Sequence, residues 1–370
     1  MSNSFVTLKE IARTALPHLM NNLVFPRLVH DDFSEAFAAK QGDTVQVRKP
    51  VNYVANTFDE NTGIVAQNLE EESVEVKLDT IATVDIEVSA IDSALSFDSM
   101  ERLFIQPAAI ALAEKINADG LALYKDVANY AGTAGTTPDD LADLAAVRRA
   151  LNDACAPQSP RYAVWDTAAD TAFATVPALV NAEKSGSTDA LREGALGKVF
   201  GIENFMSQAV KHHTTGITAA TAVKVDGAVT AGSASLDIKG TSLTGKLVKG
   251  DLMKIGGVCY VVTEDSAAAS DNKIASVKVY PALPALTDGT DITLVGSHTA
   301  NLAFHPSAFA FVSRPLAAPA GVESYVTSFD GISLRVVRGY DMVYKKEMLS
   351  MDVLYAYKTV YPELAVRYLG

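Results

Sequence analysis

Cations are what this chain most lacks. Its 31 lysines and arginines face 44 acidic residues, a formal net charge of -13, and a surface that grips nucleic acid needs clustered positive charge to release counterions. Tight nucleic-acid binding is disfavoured on that ground, whereas a container that encloses nucleic acid without gripping it is compatible. Cysteine is nearly absent. Cys155, at the end of an expected helix, and Cys259, in an apolar strand, stand far apart in no metal-ligand spacing and are expected to be buried free thiols. No apolar run is long enough to span a bilayer, the start MSNSFVTLKE lacks the apolar core of a signal peptide, and no Asn-X-Ser/Thr acceptor occurs, so maturation in a reducing cytoplasm is expected.

Signatures of catalysis are missing as well. There is no GxSxG elbow, no GxxxxGK[ST], no GxGxxG after a strand, no HExxH and no CxxC. GALGKVFG at 194–201 imitates a phosphate loop but lacks the strand before it and the hydroxyl residue after its lysine, so it reads as a turn entering a strand. His212 and His213, adjacent in a strand, point to opposite faces and would chelate one metal poorly. His305 before Pro306 reads as structural. No cofactor and no metal site are called for, and the chain is read as a non-enzyme. A hydrolase with a non-contiguous triad drawn from His305, a serine and an aspartate stays open as an alternative, because spacing alone does not decide it.

With 48% hydrophobic and 20% charged residues, the chain can bury a full core in one or two domains. Leu8, Ile11, Ala12, Ala15, Leu19 and Leu23 give an amphipathic N-terminal helix over 5–24, interrupted by Pro17. Val45 and Val47, then Val74, Val76 and Leu78, then Val84, Ile86 and Val88 recur at period two, which predicts a long antiparallel arm over 42–92. Nothing between its strands builds a core, so its packing partner is expected on another subunit. Asp98 and Glu101 stand at capping-box spacing, Pro107 suits a first turn, and Ile105, Ala109, Leu112, Ile116, Leu123 and Val127 form the stripe of a long helix. Thr137 is the expected N-cap of a second helix carrying Leu141, Leu144, Arg148, Leu151 and Cys155. RYAVW at 161–165 is a strand, Asp166 caps a helix, and NAEKSGSTDALREG at 181–194 reads as a solvated loop.

At 223 the composition changes. Residues 223–297 are rich in small residues and Val and break into short alternating runs separated by turn residues, the pattern of a small inserted β barrel or sandwich. The parent pattern resumes at NLAFHPSAFAFVSRPL. From Phe329 onward the chain is all strand, and Arg335, Arg338, Lys345, Lys346, Lys358 and Arg367 alternate with apolar residues as the wet face of a half-buried sheet.

The segments NNLVFPRLVHDDFSEAFAAKQGDTVQVRKP, the acidic β arm, the helix at 98–129, GALGKVFGIENFMSQAV, NLAFHPSAFAFVSRPL and the LVKGDLMKIGGV run of the insert occur in one order. In that order the whole chain resembles tailed-phage major capsid proteins of the HK97-like fold, in the branch similar to phage P22 coat protein. The resemblance implies an α+β fold with an N-terminal arm at 1–41, an extended β loop at 42–96, and a spine helix with peripheral domain at 97–134. It further implies an axial domain at 135–222 and 298–330, an inserted β barrel at 223–297, and shared C-terminal strands at 331–370. It implies a shell of hexamers and pentamers that encloses double-stranded DNA in the virion. Assembly would take place in the host cytoplasm with scaffolding and portal proteins, and with room for a decoration protein; no membrane is involved. Arg48, Lys49, Glu70, Glu71, Glu72 and Lys77 are its candidate intersubunit contacts. Some members of the fold cross-link through a lysine and an asparagine, but Lys49 and Lys77 lack the surrounding constellation. An encapsulin-like cargo shell and a β-rich tail protein are the rival readings, and the long central helix disfavours the second.

Overall fold

The computed structural model describes residues 8–30, 44–48, 73–88, 101–181, 186, 189–319, 321–341 and 346–370. Along the chain come helix α1 (Leu8–Asn22), strands β1 (Thr44–Arg48), β2 (Ser73–Lys77) and β3 (Thr80–Val88), helix α2 (Gln106–Leu121) and β4 (Tyr130–Gly132). Helix α3 (Leu141–Asp153), β5 (Tyr162–Trp165), α4 (Thr167–Phe173), α5 (Pro177–Val180), α6 (Asp189–Glu193), β6 (Lys198–Val199), β7 (Ile202–Met206) and β8 (His212–His213) follow. Next are β9 (Ile217–Val225), β10 (Ser233–Gly245), β11 (Leu252–Ile255), β12 (Val258–Val262), β13 (Lys273–Leu283) and β14 (Ile292–Leu294). The chain closes with β15 (His298–Phe304), β16 (Phe309–Arg314), β17 (Glu323–Phe329), β18 (Ile332–Asp341), β19 (Lys346–Thr359) and β20 (Ala365–Leu369). Two compact units divide it: residues 1–18, 31–112 and 311–360, and residues 19–30, 113–310 and 361–370.

In the first unit β16, β19, β18 and β17 lie side by side, and β3 joins β19 in antiparallel register from Glu347 opposite Val88 to Tyr355 opposite Thr80. The third strand of the expected arm therefore finds its partner within its own chain. Among the described strands, β1 and β2 form a ribbon to themselves, with Val45 opposite Val76 and Val47 opposite Val74. Met351, Val353, Val336 and Leu334 alternate with more polar positions and are buried, as period two demands.

Helix α2 carries the expected stripe. Ile105, Ala109, Leu112, Ile116 and Val127 are all buried, and Pro107 stands in its first turn, where a missing N–H leaves no hydrogen bond unmade. Leu123 departs from the stripe. After Leu121 the backbone tightens to a 3-10 turn over Ala122–Asp126, the repeat falls to three residues, and Tyr124 is buried in its place. A five-residue π-helical turn, Glu101–Ile105, precedes α2, and Asp98 lies outside the described residues.

The second unit is built on a seven-stranded mixed sheet in which β4, β20, β15, β5, β7 and β6 are neighbours and β8 flanks β15. Leu144, Val147 and Leu151 of α3 and Phe173 of α4 pack with Trp165, Ala303, Val366 and Tyr368 of the sheet. Val147, and not the exposed Arg148, holds the inward position. The N-cap of α3 is Asp140, not Thr137: it closes a capping box with Asp143, which lies three residues on as the reciprocal acceptor must. Asp166 caps α4 by accepting from the N–H groups of Ala168 and Ala169, each at 3.2 Å. The segment read as loop at 181–194 contains α6.

Cys155 is exposed, against expectation. Helix α3 ends in a Schellman turn, with the Ala156 N–H donating to Leu151 O and the Cys155 N–H to Asn152 O. Cys155 holds the left-handed position at φ 55°, so its side chain leaves the helical stripe.

Strands β9 to β14 form one sheet in the order β14-β11-β12-β13-β10-β9, and it starts at Ile217, ahead of the composition change. Its ends meet. Lys224 bridges Asp291, and the Val225 N–H donates to Thr290 O at 2.9 Å, which closes the sheet into a barrel and removes most of its free edge. Fifteen buried residues, among them Ile238, Met253, Tyr260, Val262 and Val277, fill it.

Candidate assembly elements and the seat of the barrel

Of the six residues expected at subunit contacts, Lys49, Glu70, Glu71 and Glu72 lie outside the described residues. Arg48 ends β1 opposite Ser73, and Lys77 ends β2 opposite Thr44, so the ribbon carries a basic residue at each end. Lys77 is exposed, while Val76 is buried to 1%.

In the sheet of the first unit, Arg335 is not a free surface cation. Its Nε donates to Asp352 Oδ2 at 2.9 Å and its other nitrogens reach Asp352 again and the Ala317 carbonyl. Asp352 is 4% exposed and also accepts from Ser350 Oγ at 2.8 Å, so its charge is fully partnered.

The N-terminal segment is anchored within the second unit. Asn117, 5% exposed on α2, accepts at Oδ1 from the N–H groups of Val24 (3.0 Å) and Phe25 (3.2 Å) and donates from Nδ2 to the Asn22 carbonyl (2.9 Å). One side chain thus meets backbone groups at the end of α1 and at the start of the following turn. Phe25 then stacks against Phe304 and Phe309, with ring centroids 5.3 and 5.7 Å away.

Arg367 is enclosed by carbonyl groups, an imidazole and an aromatic ring. It was expected on a wet face and is completely buried. Its Nη1 donates to Gly250 O at 2.8 Å and to His298 Nε2 at 3.4 Å, and its Nη2 donates to Val127 O at 3.1 Å and to Tyr124 O. The guanidinium carbon lies 4.8 Å from the centre of the Tyr124 ring. Burial lowers its pKa to about 9, which still leaves a cation at neutral pH, and the Asp251 carboxylate nearby opposes the shift. Burying a lone cation is expensive; carbonyl oxygens, an aromatic face and a nearby anion offset that cost here.

The barrel reaches this cluster through one turn. Gly250 supplies the carbonyl, Lys249 pairs with Asp126 at 2.9 Å, and Asp251 accepts from His213 Nε2 at 2.8 Å and from the Val248 N–H at 2.8 Å. Tyr124 Oη meets His213 Nδ1 at 3.0 Å. Gly250 adopts φ +99°, and a Cβ there would stand 2.9 Å from Lys125 Cγ, so this close approach requires glycine. His298, fully buried, donates from Nδ1 to Gly296 O at 2.8 Å. Desolvation lowers its pKa to about 4, helped by the charge of Arg367. Around these groups Ala128, Leu252, Val261 and Leu369 form a small apolar seat, and Tyr280 donates to Glu363 beside it. His212, next to His213 but on the other side of the strand, is exposed.

Sequence reasoning missed Arg367, yet a signal was present. LAVRYL lacks the alternation of the preceding strands, and a nearly continuous apolar run marks a strand covered on both faces. Among the described residues no group of three or more His, Cys, Asp or Glu is placed to hold a metal ion, and no helix is long and apolar enough to cross a membrane. His305 accepts from the Ser307 N–H and caps a short 3-10 turn, with its pKa lowered by burial.

No protein-family model matches the sequence, and a search of curated proteins finds no match. Among solved structures, one reported for Mycobacterium phage Che8 is similar with a TM-score of 0.52 at 17% identity, covering 94% of this chain and 90% of that one. The capsid of cyanophage P-SCSP1u (TM-score 0.46, 11% identity, 89% and 84% covered) and the mature capsid of bacteriophage PhiM1 (0.46, 10%, 89% and 82%) are more distant. At 17% identity the likeness to the Che8 structure is one of fold. The chain has the α+β, HK97-like fold of tailed-phage major capsid proteins, with a barrel-like sheet among its sheets.

Proposed function

We propose that this protein is a major capsid protein that self-assembles into the icosahedral shell of a tailed phage around packaged double-stranded DNA. The observation that carries the reading is an HK97-like fold running through 94% of the chain. The β1–β2 ribbon supports it. Among the described residues, five paired residues on each strand form a two-stranded element with no third strand, and a ribbon that small depends on what it packs against. In the proposed assembly, residues 42–96 form the extended loop, whose β3 stays in the sheet of its own chain while the part before it lies on a neighbour, with Arg48, Lys49, Glu70, Glu71, Glu72 and Lys77 at the contact. Residues 1–41 form the N-terminal arm, α2 the spine, and the barrel an appendage of the axial domain. Hexamers and pentamers assemble in the host cytoplasm on a scaffolding protein around a portal. Many weak contacts acting together around a closed shell keep assembly correctable. The net charge of -13 leaves DNA enclosed without being tightly bound.

Co-expression with the scaffolding protein encoded beside it, followed by negative-stain microscopy and sedimentation, tests the proposal. Closed particles are the expected result. A chain that sediments as a monomer at every concentration with scaffold present refutes it.

A further inference from the structure

Two imidazoles, His213 and His298, lie fully or almost fully buried with ring centroids 5.3 Å apart, and their surroundings differ in one decisive respect. His213 faces a carboxylate, Asp251, at 2.8 Å, so a proton on it meets an anion. His298 faces the Arg367 guanidinium on β20, His212 and His213 on β8, and the Gly296 carbonyl, and its one interaction with a carbonyl is already made by Nδ1. Its Nε2 accepts from Arg367, so a proton there would set donor against donor and cation against cation without solvent. The other titratable groups around the seat are the neutral Tyr124 with Lys125 and Asp126 beside α2, Lys249 and Asp251 on the barrel turn, and Glu363 before β20; Asp126 is already paired with Lys249 and Glu363 with Tyr280. Arg367 is the group that holds the Gly250 carbonyl of the barrel.

We propose that His298 and Arg367 form an acid-operated latch, and that protonation of His298 releases the barrel from its seat while both the barrel and the parent sheet stay folded. Two features support separate release. The barrel has fifteen buried core residues of its own, whereas the seat has four. Its other ties beside the seat are few: the exposed Lys249–Asp126 pair, the His213–Asp251 bond, the Tyr280–Glu363 bond and the Tyr130 N–H to Cys259 contact. Local openings draw on such lightly packed junctions. The sign follows from the docked pKa of about 4 against an ordinary 6.5: the docked form refuses a proton that the released form accepts. Docking is fully favoured above pH 6.5 and loses ground as pH falls toward 4.

The two cysteines provide the readout. Cys259 is half-buried on β12, where the Tyr130 backbone N–H of the parent sheet meets its thiol, and Cys155 is exposed. The full chain is treated with 4,4′-dithiodipyridine, which reacts with thiols in mild acid, from pH 7.5 to 4.5. The modification rate of Cys259 relative to Cys155 is followed, together with fluorescence of Trp165 in the parent core. The ratio should rise at least about tenfold on acidification with Trp165 unchanged, and should stay flat in His298→Asn, which keeps a donor for Gly296 and cannot be protonated. A flat ratio in the native chain, an equal rise in His298→Asn, or a rise that coincides with loss of the Trp165 signal overturns the latch. Should His298→Asn not fold, His298→Gln, which keeps an acceptor for Arg367, takes its place with the same expected flat ratio.

Discussion

Asn117→Leu should destabilise the second unit by about 3 kcal/mol. The side chains are close in volume, so packing changes little and the cost comes from hydrogen bonds. Leucine removes the acceptor of the Phe25 N–H in a buried site, which costs about 1–3 kcal/mol, and the contacts of Asn117 with the half-buried Val24 N–H and Asn22 carbonyl, each about 0.5–1.5 kcal/mol because water reaches them in part. Additional apolar burial returns roughly 1 kcal/mol. For a unit of this size 1 kcal/mol moves the melting temperature by about 2–4 °C, so calorimetry should show a fall of roughly 6–12 °C. The control is Glu114→Leu, one turn away on the exposed side of α2, with an expected change within about 0.5 kcal/mol. A loss below about 2 °C for Asn117→Leu, or equal losses for the two variants, would show that Asn117 does not anchor the segment.

Ile116→Asp places an unpaired carboxylate at a fully buried position and should abolish soluble expression, whereas Lys115→Asp breaks only an exposed pair with Asp119 and should shift stability by about 0.5 kcal/mol; similar solubility and melting of the two would contradict the buried face of α2. Gly250→Ala must push aside Lys125 and strain a φ of +99°, so it should cost about 1–3 kcal/mol and raise the reactivity of Cys259 at neutral pH. An unchanged thiol rate would mean that the Gly250 turn does not seat the barrel.

What the sequence disclosed depended on whether one face of an element met solvent. The barrel strands alternate because each has an inside and an outside, and runs such as ASLDIKG and DLMKIGGVCYVVT coincide with β10, β11 and β12. Of the α2 stripe only Leu123 was misread, where the helical repeat changes, a backbone event without a residue signature at that position. Thr137 and Asp140 are both good caps, and the Asp143 carboxylate decided between them. Arg367 and Asn117 were hidden for a different reason. Each is a polar residue in an apolar pattern, and their partners lie 243 and 95 residues away in the chain, so no local window contains the groups that make their burial tolerable. The pairing of β3 with β19 was invisible likewise, since alternation fixes which face a strand buries but not which strand it joins.

The barrel leaves the parent sheet after β8 and returns at β15, and these two strands are hydrogen-bonded neighbours, His213 opposite His298 and Thr299 opposite His212. The parent chain therefore meets the insert at what amounts to a closed hairpin, and any module whose ends lie one strand spacing apart could be grafted there with little loop-closure entropy. Yet the graft is not free to be anything. A replacement that offered no carbonyl where Gly250 stands would leave a buried guanidinium short of an acceptor, and the penalty would fall on the host sheet and not on the guest. The parent fold thus carries a template for its own insert, written in β20, more than a hundred residues downstream of the turn it reads.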